Sequence, residues 1–142
     1  MAKFSGLIIG LLLLLGAASA QADLFVVVHA ENPVADMTAE QIERLFLMKA
    51  KRFDNGDPAE PVSQTENSKP REKFNAEVLQ RNEQQLKYYW SRKMFSGGDK
   101  PPPVVGGDAE VENFVAAHKG GIGYLGVAPK SSNVKVVLRL KH

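Results

Sequence analysis

The stretch ENSKPREKF, Glu66 to Phe74, gathers the residue types in this chain best suited to bind a ligand. It passes from a polar, turn-prone run into what reads as the first turn of a helix, with Ser68 able to cap and Pro70 acceptable in that turn. Lys69, Arg71 and Lys73 crowd the same turn, although the positive end of the helix dipole ordinarily favours acids there. First-turn N–H groups have no intrahelical partner, so such an end can receive an oxyanion. A bound anion would turn the repulsion between the dipole and the basic side chains into attraction. The same residues also describe an ordinary serine cap with solvated basic neighbours, and both readings stand.

No other constellation suggests chemistry. His29, His118 and His142 fall on different elements without a helical metal-binding partner, and each reads as a satisfied or solvated histidine. There is no HExxH and no GxSxG. The glycine-dense GGIG, Gly120 to Gly123, comes after a helix and before a strand, the reverse of a phosphate-binding loop. Glu110 with Glu112, and Asp54 with Asp57, read as exposed pairs without acid–base geometry. The expectation is a protein that is not an enzyme and needs no cofactor or metal.

The elements that would position Ser68 follow from periodicity. LFVVVH, Leu24 to His29, is a continuous apolar run that suits a strand covered on both faces, as in α/β sheets. A helix begins at Thr38, with Gln41 completing a capping box and Ile42, Leu45 and Phe46 on one face. Asn55-Gly56 marks a turn, and Val62 to Thr65 a short strand. The second helix is expected over about 69–79, burying Phe74, Val78 and Leu79. A third, capped by Asn82, carries the stripe Leu86, Tyr89, Trp90 and Met94, read as core. After the irregular SGGDKPPPVVGG, Asp108 is expected to cap a fourth helix with Val111, Phe114, Val115 and His118. A short strand follows at IGYLGVAP. The last strand alternates, with Val134, Val136, Leu138 and Leu140 on the core side. This order predicts a small three-layer α/β domain, a mixed sheet flanked by helices.

Composition narrows the setting. The opening MAKFSGLIIGLLLLLGAASAQAD pairs Lys3 with an apolar run, Leu7 to Leu15, and small-residue cleavage choices after Ala20 or Ala22. That is the pattern of a secretory signal peptide, and the run is short for a bilayer span of about 20 residues. The expectation is an exported, periplasmic protein: residues 1–22 as signal peptide and 23–142 as one domain, with no membrane span after cleavage. The leader removes only Lys3 from the 18 Lys+Arg and 16 Asp+Glu, leaving a nearly neutral chain unlike a nucleic-acid binder. The zero cysteine count excludes disulfides, thiolate nucleophiles, thiolate metal sites and lipid attachment through cysteine.

Taken in order, NPVADMTAEQIERLFLMKAKRF, QTENSKPREKF, YWSRKMFSGG and VENFVAAHKGGIGYLGVAP resemble the phosphate-binding periplasmic proteins of ABC importers. The likeness runs from about Val26 to Pro129 and implies one lobe of the type II periplasmic-binding fold. In that family, phosphate sits at a helix start marked by an arginine, three residues, then Ser-Gly-Thr. The matching positions here are Gln64, Thr65-Glu66-Asn67 and Ser68-Lys69-Pro70. Ser68 is kept; Gln64 stands for the arginine, Lys69 for the glycine, and Pro70 for a threonine whose donors it lacks, while Arg71 can restore charge. The resemblance thus implies weak binding of phosphate or a similar oxyanion by Gln64, Ser68, Lys69 and Arg71, in uptake or sensing. The alternative is an interaction module that kept the lobe fold, lost the ligand and holds a protein partner or a second copy.

Overall fold

Leu24–His29 form the first strand, β1, of the computed structural model, which describes residues 23–141. The expected signal peptide, residues 1–22, and His142 lie outside the described residues. Strand β1 is central, antiparallel to both β5 (Gly121–Leu125) and β6 (Val134–Leu140). The two-residue β2 (Glu60–Pro61) runs parallel to β5, giving the mixed order β2-β5-β1-β6. All six residues of β1 are buried, because helices cover both faces of the sheet. A continuous apolar run therefore reported burial on two sides and not the parallel direction usual for such runs.

Against one face pack α1 (Ala39–Phe46), α2 (Lys69–Phe74), the wider π turn that continues α2 over Asn75–Leu79, and α3 (Glu83–Gly97). Leu24, Val26, Val28 and Tyr124 meet this layer from the sheet. The other face carries α4 (Asp108–Ala117), whose Val111 and Val115 pack on Phe25, Val27 and Leu125. A Cβ on Gly123 would come 2.5 Å from a methyl of Val111, so β5 must be bare there for α4 to approach. The result is the expected three-layer α/β arrangement. A separate parallel pair joins β3 (Ser63–Gln64), inside the short strand expected at Val62 to Thr65, to β4 (Val104–Gly106), in the segment expected to be irregular.

The local signals for the starts of α1 and α3 hold, and the cap expected at Asp108 moves by one residue. Thr38 and Gln41 form the reciprocal cap of α1, as Asn82 and Gln85 do for α3. At α4 the cap is Gly107, with Glu110 Oε1 accepting from its amide at 2.9 Å; Asp108 is the first helical residue. The α3 stripe is only partly core. Leu86 and Trp90 are buried and Tyr89 donates its hydroxyl to the Leu47 carbonyl at 2.6 Å, but Met94 is exposed. The face of β6 also differs from the alternation. Val26 faces Leu138 and Val27 faces Val136, so Val137 is an extra, bulged residue. The bulge turns Val137 into the core and Val136 out of it.

Candidate functional site

The start of α2 is built on a buried ring ladder. Tyr124, fully buried on β5, stacks on Phe74 with centroids 4.2 Å apart, and Phe74 meets Phe46 edge-on at 4.7 Å. The Tyr124 hydroxyl shares a hydrogen bond with Ser63 Oγ at 2.6 Å and accepts from the Gln64 amide at 3.0 Å. Burial pushes the Tyr124 pKa up, against the opposing pull of the Ser63 and Gln64 bonds. This pins β3, and β3 sets where the following turn, Thr65 to Ser68, delivers the chain. Ser68 then caps α2, its Oγ accepting from the Arg71 amide at 3.2 Å.

The side chains around that cap are engaged with one another. Arg71 donates through Nε and Nη2 to the two carboxylate oxygens of Glu83 at 2.6 and 2.8 Å, and through Nη1 to the Gln64 carbonyl at 2.8 Å. Asn75 Nδ2 adds a bond to the same carboxylate at 2.7 Å. Burial works against the charge on both partners, but their bidentate contact outweighs it. It holds Arg71 above its ordinary pKa and Glu83 below the usual carboxylate range.

Gln64 is fully buried and donates from Nε2 to Asp108 Oδ1 at 2.7 Å and to the Tyr124 carbonyl at 2.8 Å. Asp108 Oδ1 also accepts from the Gly126 amide at 3.0 Å. With two acceptors on one side, the Gln64 amide has only one tolerable orientation. Its Oε1 is then left buried without a partner, at a cost of about 1–3 kcal/mol. Gly126 in turn closes on the first turn of α2: a Cβ there would lie 2.7 Å from Pro70 Cγ.

The structure thus brings Gln64, Ser68 and Arg71 together and leaves Lys69 apart. The Lys69 side chain is 90% exposed, with Nζ 3.8 Å from Glu72. Of the first amides of α2, Pro70 has none, that of Arg71 goes to Ser68 Oγ and that of Glu72 to the Ser68 carbonyl at 3.1 Å. Lys69 has the remaining N–H of that turn. Sequence reading missed Glu83, Asn75 and the side-chain role of Asp108. Glu83 and Asp108 lie on α3 and α4, far from α2 and β3 in the chain, and no periodicity ties them to Arg71 or Gln64.

A cavity of about 450 Å³ opens beside the Arg71–Glu83 pair, walled by Trp90, Met94, Pro101 and Pro102. The histidines lie elsewhere: His29 Nδ1 accepts from the Glu31 amide at 3.0 Å, and His118 stacks on Phe114 with centroids 3.8 Å apart. Among the described residues, no three His, Asp or Glu side chains group as metal ligands, and no helix is long and apolar enough to cross a membrane.

Three layers, a mixed sheet and a helix start beside β3 can be compared with solved structures. A protein of Clostridium perfringens assigned as a phosphate ABC transporter substrate-binding protein, with phosphate bound, superposes with a TM-score of 0.62 at 20% identity, over 82% of this chain and 45% of its own. This chain has the fold of about half of such a protein. The ABC-type phosphate transport receptor of Vibrio cholerae matches with a TM-score of 0.56 at 17% identity, over 82% of this chain and 46% of that one. PstS of Borrelia burgdorferi matches with a TM-score of 0.56 at 12% identity, over 75% and 42%. The chain therefore spans less than half the length of each. These neighbours are substrate-binding transport proteins, in line with the resemblance read from the motifs. No family model matches the chain, and no curated protein matches it.

Proposed function

We propose that this chain is an exported, non-enzymatic binding module of the phosphate-binding-protein fold that works by docking a protein partner, its anion corner being filled by its own carboxylate. The observation that carries the reading is the bidentate contact of Arg71 with Glu83, at 2.6 and 2.8 Å. An oxyanion at α2 would have to compete with a tethered carboxylate that already satisfies the cation. Two neighbours point the same way. Gln64, at the position where the family resemblance implies an arginine, is neutral and spends its amide on Asp108. Pro70 offers no donor.

Weak oxyanion binding by Ser68, Lys69 and Arg71, in uptake or sensing, is the second reading. It is favoured by the remaining Lys69 amide, by the exposed Lys69 ammonium beside it and by the phosphate bound in the Clostridium perfringens neighbour.

Amide NMR of the wild-type domain, titrated with phosphate to millimolar concentration, separates the two. The docking reading expects no saturable movement at Ser68, Lys69 and Arg71, and a new saturable shift there in Glu83→Gln, where Arg71 is released. Saturable binding by the wild type would overturn it.

A further inference from the structure

The proposed docking role leaves open which surface is used, and α3 singles itself out. A helix that only covers a sheet has one apolar stripe. Helix α3 has a buried stripe, Leu86 and Trp90, and an outward one: Tyr88 is 65% exposed and Phe95 is 95% exposed. An aromatic residue so fully in water contributes nothing to folding, and exposed apolar patches with polar rims mark interaction sites. The guanidinium of Arg92 lies 5.7 Å from the Tyr88 ring centre, so the stripe joins aromatic and cationic character.

The surroundings decide the sign of the partner. A groove of about 1130 Å³ along this side is lined by Arg81, Arg92 and Lys93, and among the described residues no carboxylate lines it. Glu43 pairs with Arg81 at 3.5 Å and Asp99 with Lys93 at 3.8 Å, both from outside the groove, so the positive character of the lining rests chiefly on Arg92. Gln85, Ser91 and Ser96 add side chains able to bond a peptide backbone. A second copy would set these cations against themselves, because a two-fold interface presents the same patch from both sides, and facing like charges are unfavourable. A membrane surface is flat and would leave the polar lining of a concave groove unmatched.

We infer that the outer face of α3, with Tyr88, Arg92 and Phe95 as anchors, takes an acidic segment of a partner protein that carries apolar side chains between its carboxylates. The inference rests on the docking reading. Aromatic and arginine anchors of this kind carry most of an interface's energy, and each costs severalfold when removed.

The test uses a fluorescent peptide alternating Glu with Leu and Phe, its Lys-for-Glu counterpart, and vesicles of phosphatidylglycerol. The wild-type chain should bind the acidic peptide, ignore the basic one, and lose affinity as salt is raised. Arg92→Glu with Phe95→Ser should weaken binding by about tenfold or more while leaving thermal stability unchanged, since both side chains are exposed. Absence of binding, equal binding by the double variant, attachment to the vesicles alone, or self-association abolished by Phe95→Ser would each overturn the inference. Such a failure is distinct from failure of the docking reading, which turns on the phosphate titration at α2; with that titration silent, the module would dock through another face.

Discussion

Glu83→Gln probes the corner most directly, because it keeps the shape of the side chain and removes its charge. The carboxylate accepts two bonds from Arg71 and one from Asn75, at 2.6, 2.8 and 2.7 Å. Glutamine retains one acceptor and presents an amide to the guanidinium, which then stays without a counter-charge. Removing one partner of a fully buried pair costs about 3–5 kcal/mol. Here the Arg71 and Glu83 side chains are 17% and 30% exposed, and water screening brings the expected loss to about 2 kcal/mol. For a domain of this size that is a fall in melting temperature of about 8 °C. The pH dependence carries the sign. Burial opposes ionisation of Glu83, but Arg71 and Asn75 outweigh it, so the folded carboxyl has a lower pKa than the unfolded one. Its contribution is complete above the unfolded carboxylate pKa of about 4.3 and is lost as pH falls through the folded value. Calorimetry of both proteins from neutral pH into the acid range should show the gap between them closing on acidification. A gap that is absent at neutral pH, or that persists unchanged in acid, refutes the reasoning.

Other outcomes follow from the same neighbourhood. Tyr124→Phe removes the hydroxyl that serves Ser63 and the Gln64 amide in a fully buried position, and urea unfolding should show a loss of about 1–3 kcal/mol. Gly126→Ala forces a methyl within 2.7 Å of Pro70 Cγ; a destabilisation of about 1–3 kcal/mol is expected, with amide shifts at Lys69 and Arg71, and an unchanged spectrum would show that the corner is open. Phe95→Ser should leave the unfolding free energy within about 0.5 kcal/mol of wild type, because Phe95 is 95% exposed.

What could be read in advance was what short range encodes. Thr38 with Gln41 and Asn82 with Gln85 announced their helices because a capping box is complete within four residues. The buried face of α1, Ile42, Leu45 and Phe46, followed from helical spacing. The widening of the second helix into a π turn carried no comparable signal, and neither did the bulge at Val137. A bulge shifts the alternation without altering composition, so the pattern of β6 pointed to Val136 in place of Val137. The resemblance located the corner but not its chemistry. Arg71 read as a free cation because its counter-charge, Glu83, lies beyond the end of its own helix. Gln64 read as a lost arginine, and only folding sets it against Asp108. Spacing along α3 did separate the buried Leu86 and Trp90 from Tyr88 and Phe95, but it also placed Met94 in the core, where the helix end leaves it exposed.

The last strand has a consequence for how the molecule behaves in company. Among the described residues, β6 pairs with a strand, β1, on one side only, and its other margin is closed at Val137, whose carbonyl accepts from the Met37 amide at 3.0 Å, and otherwise faces any extended chain that drifts by. The bulge at Val137 breaks the regular spacing of that margin, while the charges of β6 are held within the molecule, Lys135 by the Asn32 carbonyl and Arg139 by Asp23. The fold thereby discourages fibril-like growth of its sheet at the margin where such growth would begin.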